Sequence, residues 1–242
     1  MKINLFMKFI LLCQYRSGST MLCRTLNNHP QIKVGEEILH NSHPSMISWR
    51  KKIYNNQYYK KNFLNKKFID LTFENLNGFK IMFNQIDKSC EIWDVLNKIP
   101  NLKVIFLTRK NLLEAFLSLK ISLITNVWQK EKINSCAENI EPFFLQKTEI
   151  LKYFTKTETE IEYYKKFFFN KNQLHLTYEN LIGSWNCTIK KIQKFLQVEK
   201  VELYPALEKL NKNYYKHVKN FSEIKNFIYN TKYKHFFNIK FI

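Results

Sequence analysis

The sequence predicts an α/β fold, a three-layer α/β/α sandwich built round a mainly parallel sheet of about five strands. Two observations carry that expectation. Short, continuous apolar runs recur at Phe9 to Cys13, Gly78 to Phe83 and Leu102 to Leu107, the pattern of strands buried on both faces. Each run is followed by a segment with helical apolar spacing, which is how parallel strands are joined. A chain of 242 residues suffices for one such domain, burying about 70 to 75% of its unfolded surface, so one domain is expected over residues 1–242.

The first strand, FILLC, stops at Tyr15. Arg16, Ser17, Gly18, Ser19 and Thr20 then make a small-residue loop, and Met21, Leu22, Thr25 and Leu26 continue at helical spacing. A glycine between hydroxyl residues lets backbone approach an anion, and the amides at the start of the helix point at it. A second short strand is expected at Gln31 to Val34, followed by Gly35, Glu36 and Glu37. Ser45 to Asn77 reads as helical, with apolar positions at Phe63, Ile69 and Phe73. The third strand, GFKIMF, embeds Lys80, a charge that is costly in a core unless its ammonium finds a partner.

Ile92, Val95, Leu96 and Ile99 predict a helix stopped by Pro100, which cannot continue one. The fourth strand delivers Thr108, Arg109, Lys110 and Asn111 to the carboxyl edge of the sheet, where open α/β sheets bind ligands. The helix after it packs Leu112, Leu113, Phe116, Leu117 and Leu119 inward and carries Ser118. Pro142 to Asn170 reads as a long amphipathic scaffold helix, Gln173 to Thr177 as the fifth strand, and Ile189, Ile192, Phe195 and Leu196 as a further helix. The tail after Val201 is aromatic and basic.

The loop is not a Walker A motif: the GxxxxGK[ST] spacing is missing, and Arg16 precedes the glycine where a nucleotide kinase needs a lysine after it. It has instead the form [RK]-x-G-[ST]-[ST] and resembles the 5'-phosphosulfate loop of sulfotransferases that use 3'-phosphoadenosine 5'-phosphosulfate (PAPS). The resemblance extends through HP-x-I-x-x-GEE, His29 to Glu37, which is similar to bacterial nodulation-type carbohydrate sulfotransferases and to protein-tyrosine sulfotransferases. GFK, SLKISLITNVW and YENL at Tyr178 to Leu181 also match, so the likeness spans roughly Phe9 to Leu196. It implies a P-loop-like sandwich and PAPS as donor co-substrate. Arg16, Ser17, Gly18, Ser19 and Thr20 would hold the 5'-phosphosulfate, and Lys80 would assist departure of the leaving phosphate. The tyrosine enzymes place the base at Glu37, the nodulation type at Glu36. Arg109 or Lys110, with Ser118, would read the 3'-phosphate. Chemistry favours Arg109, whereas Lys110 has the eight-residue spacing to Ser118 common in the family. Glu179 is read as structural. The glycine-rich RKGxxGxWK clamp of the cytosolic small-molecule enzymes has no counterpart in this sequence.

Lys+Arg outnumber Asp+Glu by 39 to 20, a net charge of +19, which would attract nucleic acid, an anionic membrane or a polyanionic substrate. The same chain is crowded with Lys, Asn, Ile, Phe and Tyr and has only 4 Gly, a bias that nucleotide composition produces, so most of the excess is assigned to composition. The 5 cysteines lack a CxxC pair, which predicts reduced thiols in a cytoplasm. His40 and His43 have no second ligand pair at metal-binding spacing. No secretory leader is read at the N-terminus, and no stretch reaches the roughly 20 apolar residues of a membrane span. The expected reaction is metal-free sulfuryl transfer to a hydroxyl of a glycan or glycolipid. A peptide tyrosine is the alternative acceptor. A P-loop nucleotide kinase and a non-catalytic basic nucleic-acid-binding protein are the competitors from other classes.

Overall fold

In the computed structural model the described residues are 7–40, 61–128, 140–207 and 214–238, with side chains from 66 onward in the second segment. The expectations for His43 and for Ser45 to Lys60 lie outside them, as does the side chain of Phe63. Five strands form one sheet: β1 Phe9–Cys13, β2 Val34–Gly35, β3 Gly78–Met82, β4 Lys103–Thr108 and β5 Asn172–Thr177, in the order β2-β3-β1-β4-β5. Every pairing is parallel, so the sheet is wholly and not just mainly parallel. β1 sits at its centre, with Cys13 beside Met82 on one side and Leu107 on the other. The chain leaves β1 first toward β3 and later toward β4, so the carboxyl ends of β1, β3 and β4 open on the crevice where the topology switches.

The alternation of side chains builds two cores. Ile10, Leu12, Phe79, Ile81, Val104 and Phe106 pack on one face under helices α2 Lys61–Asn75 and α3 Ile92–Lys98. Phe9, Leu11, Cys13, Ile105 and Leu107 pack on the other face, where α1 Ser19–Leu26 and α7 Trp185–Leu196 cover them. These are the three expected layers. Helix α4 Leu112–Thr125, helix α5 Lys147–Phe167 and the C-terminal helix α8 Phe221–Tyr229 enclose a third cluster that joins Phe116, Phe154, Ile224 and Phe236. The short α6, Tyr178–Gly183, follows β5 directly.

Of the boundaries that differ from the sequence reading, two have a visible reason. The segment Gln31 to Lys33 is not strand, because its N–H groups turn back to His29 and to the Asn77 side chain. Asn27 accepts from the Val34 N–H at 2.7 Å and donates to its carbonyl at 2.9 Å, while Asn77 accepts from the Lys33 N–H at 2.7 Å. The long helix begins at Lys147 and not at Pro142, because the C-terminal segment captures its approach. Phe143 donates to the His217 carbonyl and accepts from the Lys219 N–H, both at 2.9 Å, and Asn220 Oδ1 accepts from the Leu145 N–H at 3.0 Å.

Candidate functional site

A pocket of about 700 Å³ lies over the crevice, lined among others by Tyr15, Arg16, Gly18, Ser19, Thr20, Glu36, Glu37, Arg109, Ser118 and Tyr178. Its floor is the loop between β1 and α1. Gly18 has φ 79°, and a Cβ there would come within 3.0 Å of the Tyr178 ring, so both backbone conformation and space require glycine. No side chain caps α1, and the first amides of a helix have no partner within it. Together with the helix dipole they make an anion-binding terminus. Ser19 and Thr20 stand at that terminus. Ser17 points the other way: fully buried, its hydroxyl donates to the Gln14 carbonyl at 2.7 Å, tying the loop into a turn.

At the Thr20 end, Lys80 is 1% exposed and its Nζ donates to Thr20 Oγ1 at 3.0 Å and pairs with Glu37 Oε1 at 2.9 Å. This is the partner that a lysine in a core strand requires. The ammonium is covered by Thr20 and Glu37, which face the pocket. Glu36 turns to Arg24, 3.0 Å away. Among the described residues five other than glycine have positive φ: Asn101, Asn126, Gln197, Arg16 and Glu37. Asn126 and Gln197 are helix C-caps and Asn101 follows Pro100, all ordinary turn positions. Arg16 at 63° and Glu37 at 43° are the two that line the pocket, and strain of about 1–3 kcal/mol persists where the surroundings enforce it. The Cys13 and Cys23 thiols beneath are pushed up by burial, Cys23 to about 12, despite the nearby Lys80 charge, so they stay protonated and act as core packing.

At the Arg16 end, the Arg16 guanidinium donates from Nε to Ser118 Oγ at 2.9 Å and from Nη1 to the Trp128 carbonyl at 2.7 Å. No carboxylate lies within ion-pair distance of it among the described residues. Burial, and to a smaller degree Arg109, pull its pKa down, although a guanidinium stays charged at neutral pH. Arg109, 3% exposed, pairs with Glu114 and lies 4.5 Å over the Tyr178 ring and 5.7 Å from Tyr214. Burial opposes its charge, but Tyr214, Glu114 and Tyr178 more than offset that and its pKa is raised. Its Nε is buried without a hydrogen-bond partner among the described residues. Lys110 is exposed, and only its backbone is engaged: Glu179 accepts from the Lys110 and Asn111 N–H groups at 3.0 and 3.1 Å.

Several residues in or beside the pocket were given no role by the sequence reading. Tyr178, its phenol pushed up to about 12 chiefly by burial, packs on Gly18 and Arg109. Its signal was its place at the head of YENL. Glu114 follows Arg109 by five residues, the one local hint of their pairing. Tyr214 arrives from the far C-terminal segment, with no local signal. Gln14 is the first polar residue after an uninterrupted apolar strand, a signal that was legible. Among the described residues no cluster could hold a metal ion, and no helix is long and apolar enough to cross a membrane.

Compared with known proteins, the chain matches no family model and no curated protein. Among solved structures it is similar to the crystal structure of mouse sulfotransferase SULT7A1 complexed with PAP, at 17% identity and a TM-score of 0.47, over 81% of this chain and 61% of that one. The chain thus matches less than two thirds of that protein's length.

Proposed function

We propose that the chain is a PAPS-dependent O-sulfotransferase that acts as one domain on a hydroxyl acceptor, a saccharide of a glycan or glycolipid. One observation carries the reading: a single pocket holds two separate places for anions. One is the α1 terminus with Ser19, Thr20 and Lys80 beneath. The other is Arg16 with Ser118 and Arg109. A ligand bearing one phosphate group fills only one of them; a nucleotide phosphorylated at both 3' and 5' positions suits both. The pocket lining includes Tyr15, Glu36, Glu37, His40 and Asn84 beside the apolar Met21, Met82, Leu119 and Leu123, and its polar members suit a hydroxyl-rich acceptor.

In the proposed step the acceptor oxygen attacks sulfur in line as the bond from sulfur to the bridging phosphate oxygen breaks. The acceptor proton passes to Glu37, whose carboxylate faces the pocket; Glu36, held by Arg24, is the alternative base. The electron pair of the broken bond leaves on the 5'-phosphate of adenosine 3',5'-bisphosphate. There the loop amides, Ser19, Thr20 and the Lys80 charge stabilise it, as preorganised donors do where charge develops. Arg109, Ser118 and Arg16 hold the 3'-phosphate, Arg16 from the head of the loop that holds the 5'-phosphate.

Thermal unfolding tests the donor. Adenosine 3',5'-bisphosphate at about 100 times its Kd, without magnesium, stabilises by about 2.7 kcal/mol. For a chain of this size that is a rise in Tm of roughly 5 to 10 °C, with Mg-ATP giving much less. Equal stabilisation by Mg-ATP sinks the assignment. Incubation with labelled PAPS and separate glycan and peptide fractions then identifies the acceptor, and label confined to peptide tyrosine overturns the saccharide reading.

A further inference from the structure

We infer that Gln14 is a positioning residue that sets the pocket's selectivity for a doubly phosphorylated nucleotide, an inference that rests on the donor reading above. Gln14 directly follows β1 and is 3% exposed. All of its polar groups are engaged, and they reach different parts of the pocket. Its backbone N–H donates to the Leu107 carbonyl at 3.1 Å, holding the end of β1 to β4. Its carbonyl accepts from the Ser17 hydroxyl at 2.7 Å, which closes the turn that carries Arg16. Its side-chain Oε1 accepts from the Arg109 N–H at 2.9 Å, and its Nε2 donates to Tyr153 Oη at 3.4 Å. One residue therefore fixes both the start of the phosphate loop and the backbone of the arginine that faces it.

That link matters because the Arg109 side chain is otherwise held from its far end. Glu114 and the two tyrosine rings grip the guanidinium, while its Nε has no hydrogen-bond partner among the described residues. The guanidinium's contact with the loop is a long one, Nη1 to the Arg16 carbonyl at 3.4 Å. Registry between Arg109 and the loop thus runs through the amide that Gln14 accepts from. A leucine at position 14 keeps the volume but leaves the Arg109 N–H buried and unpaired, which such groups do not tolerate without a shift of backbone. A displacement there moves Arg109 and spares the α1 terminus. The consequence is a loss specific to the 3'-phosphate. A glutamate keeps an acceptor oxygen in the same place, and Tyr153 can donate to its second oxygen.

Calorimetry with adenosine 3',5'-bisphosphate and adenosine 5'-phosphate, on wild type, Gln14→Leu and Gln14→Glu, tests this, with urea unfolding of each. The expected result is that Gln14→Leu lowers the affinity ratio of the two nucleotides by about tenfold or more while 5'-phosphate affinity stays within about threefold. Gln14→Glu should keep the ratio. A folded Gln14→Leu with an unchanged ratio, or with both affinities reduced equally, overturns the proposal. If Gln14→Leu does not fold, loss of the ratio in Gln14→Glu overturns it, and retention supports it. A wild-type protein that does not discriminate the two nucleotides overturns the donor reading itself, a separate outcome.

Discussion

The two ends of the phosphate loop treat charge in opposite ways. At the Thr20 end the cation is already balanced: Lys80 is buried against Glu37 at 2.9 Å. At the Arg16 end Arg109 is balanced by Glu114, but Arg16 has no carboxylate among the described residues and its charge is left to a serine hydroxyl and a carbonyl. Desolvating an uncompensated charge is expensive, and an anion that arrives there relieves the cost. One end is therefore a receptor for charge that is constant through a reaction. The other is a balanced pair suited to charge that moves. In the proposed transfer, the 3'-phosphate is the constant charge, and the acceptor proton and leaving phosphate are the moving ones.

The largest effect should come from breaking the balanced end. Glu37→Gln keeps the hydrogen bond to Lys80 and removes the proton acceptor. Turnover is expected to fall by at least about 10²-fold, as for loss of a general base, with donor affinity within a few-fold. Steady-state kinetics beside calorimetry measures both. If Glu36→Gln shows that pattern and Glu37→Gln does not, the base sits on the Arg24 side of the pocket and the nodulation-type alignment is the right one.

The receptor end should respond in binding and not in chemistry. Arg109→Ala is expected to weaken adenosine 3',5'-bisphosphate by about 1.5 to 3 kcal/mol, the range for a charged hydrogen-bonding partner, and to leave adenosine 5'-phosphate nearly unchanged. A loss shared equally by both nucleotides would show that Arg109 holds the loop and does not read the 3' group.

How much of this was legible depended on whether a signal was local. The buried strands declared themselves because a parallel strand covered on both faces must be apolar throughout, and Lys80 stood out because it broke that rule. The loop and its helix were legible through Gly18, whose left-handed backbone few other residues adopt. What could not be read were pairings made by the fold. Arg109 finds Tyr214 more than a hundred residues away, and Arg16 reaches the carbonyl of Trp128, which no side-chain pattern encodes. β2 was misplaced for a related reason: His29 and Asn77 take the hydrogen bonds that residues 31–33 would have given to a neighbouring strand, and neither residue in sequence announces what it bonds. The helix start at Lys147 was hidden because the segment that captures Phe143 lies past residue 216.

The smallest expected effect decides between two neighbouring cations. In the family that this sequence resembles, an arginine eight residues before its helical serine is common, and Lys110 has that spacing to Ser118 whereas Arg109 is nine away. The structure points their side chains differently. Arg109 is 3% exposed and lines the pocket; Lys110 is exposed, and its tie to the site is a backbone N–H given to Glu179 at 3.0 Å. That bond survives any substitution other than proline. An exposed ammonium is solvated and screened, so its removal is worth less than about 1 kcal/mol. Lys110→Ala is therefore expected to cost both nucleotides less than that, and equally, with the small loss fading as salt rises. Calorimetry at low and high salt measures it. A loss confined to the 3'-phosphorylated nucleotide and persisting at high salt would move the reading of that phosphate from the buried guanidinium to the exposed lysine, and spacing would have been the better guide than burial.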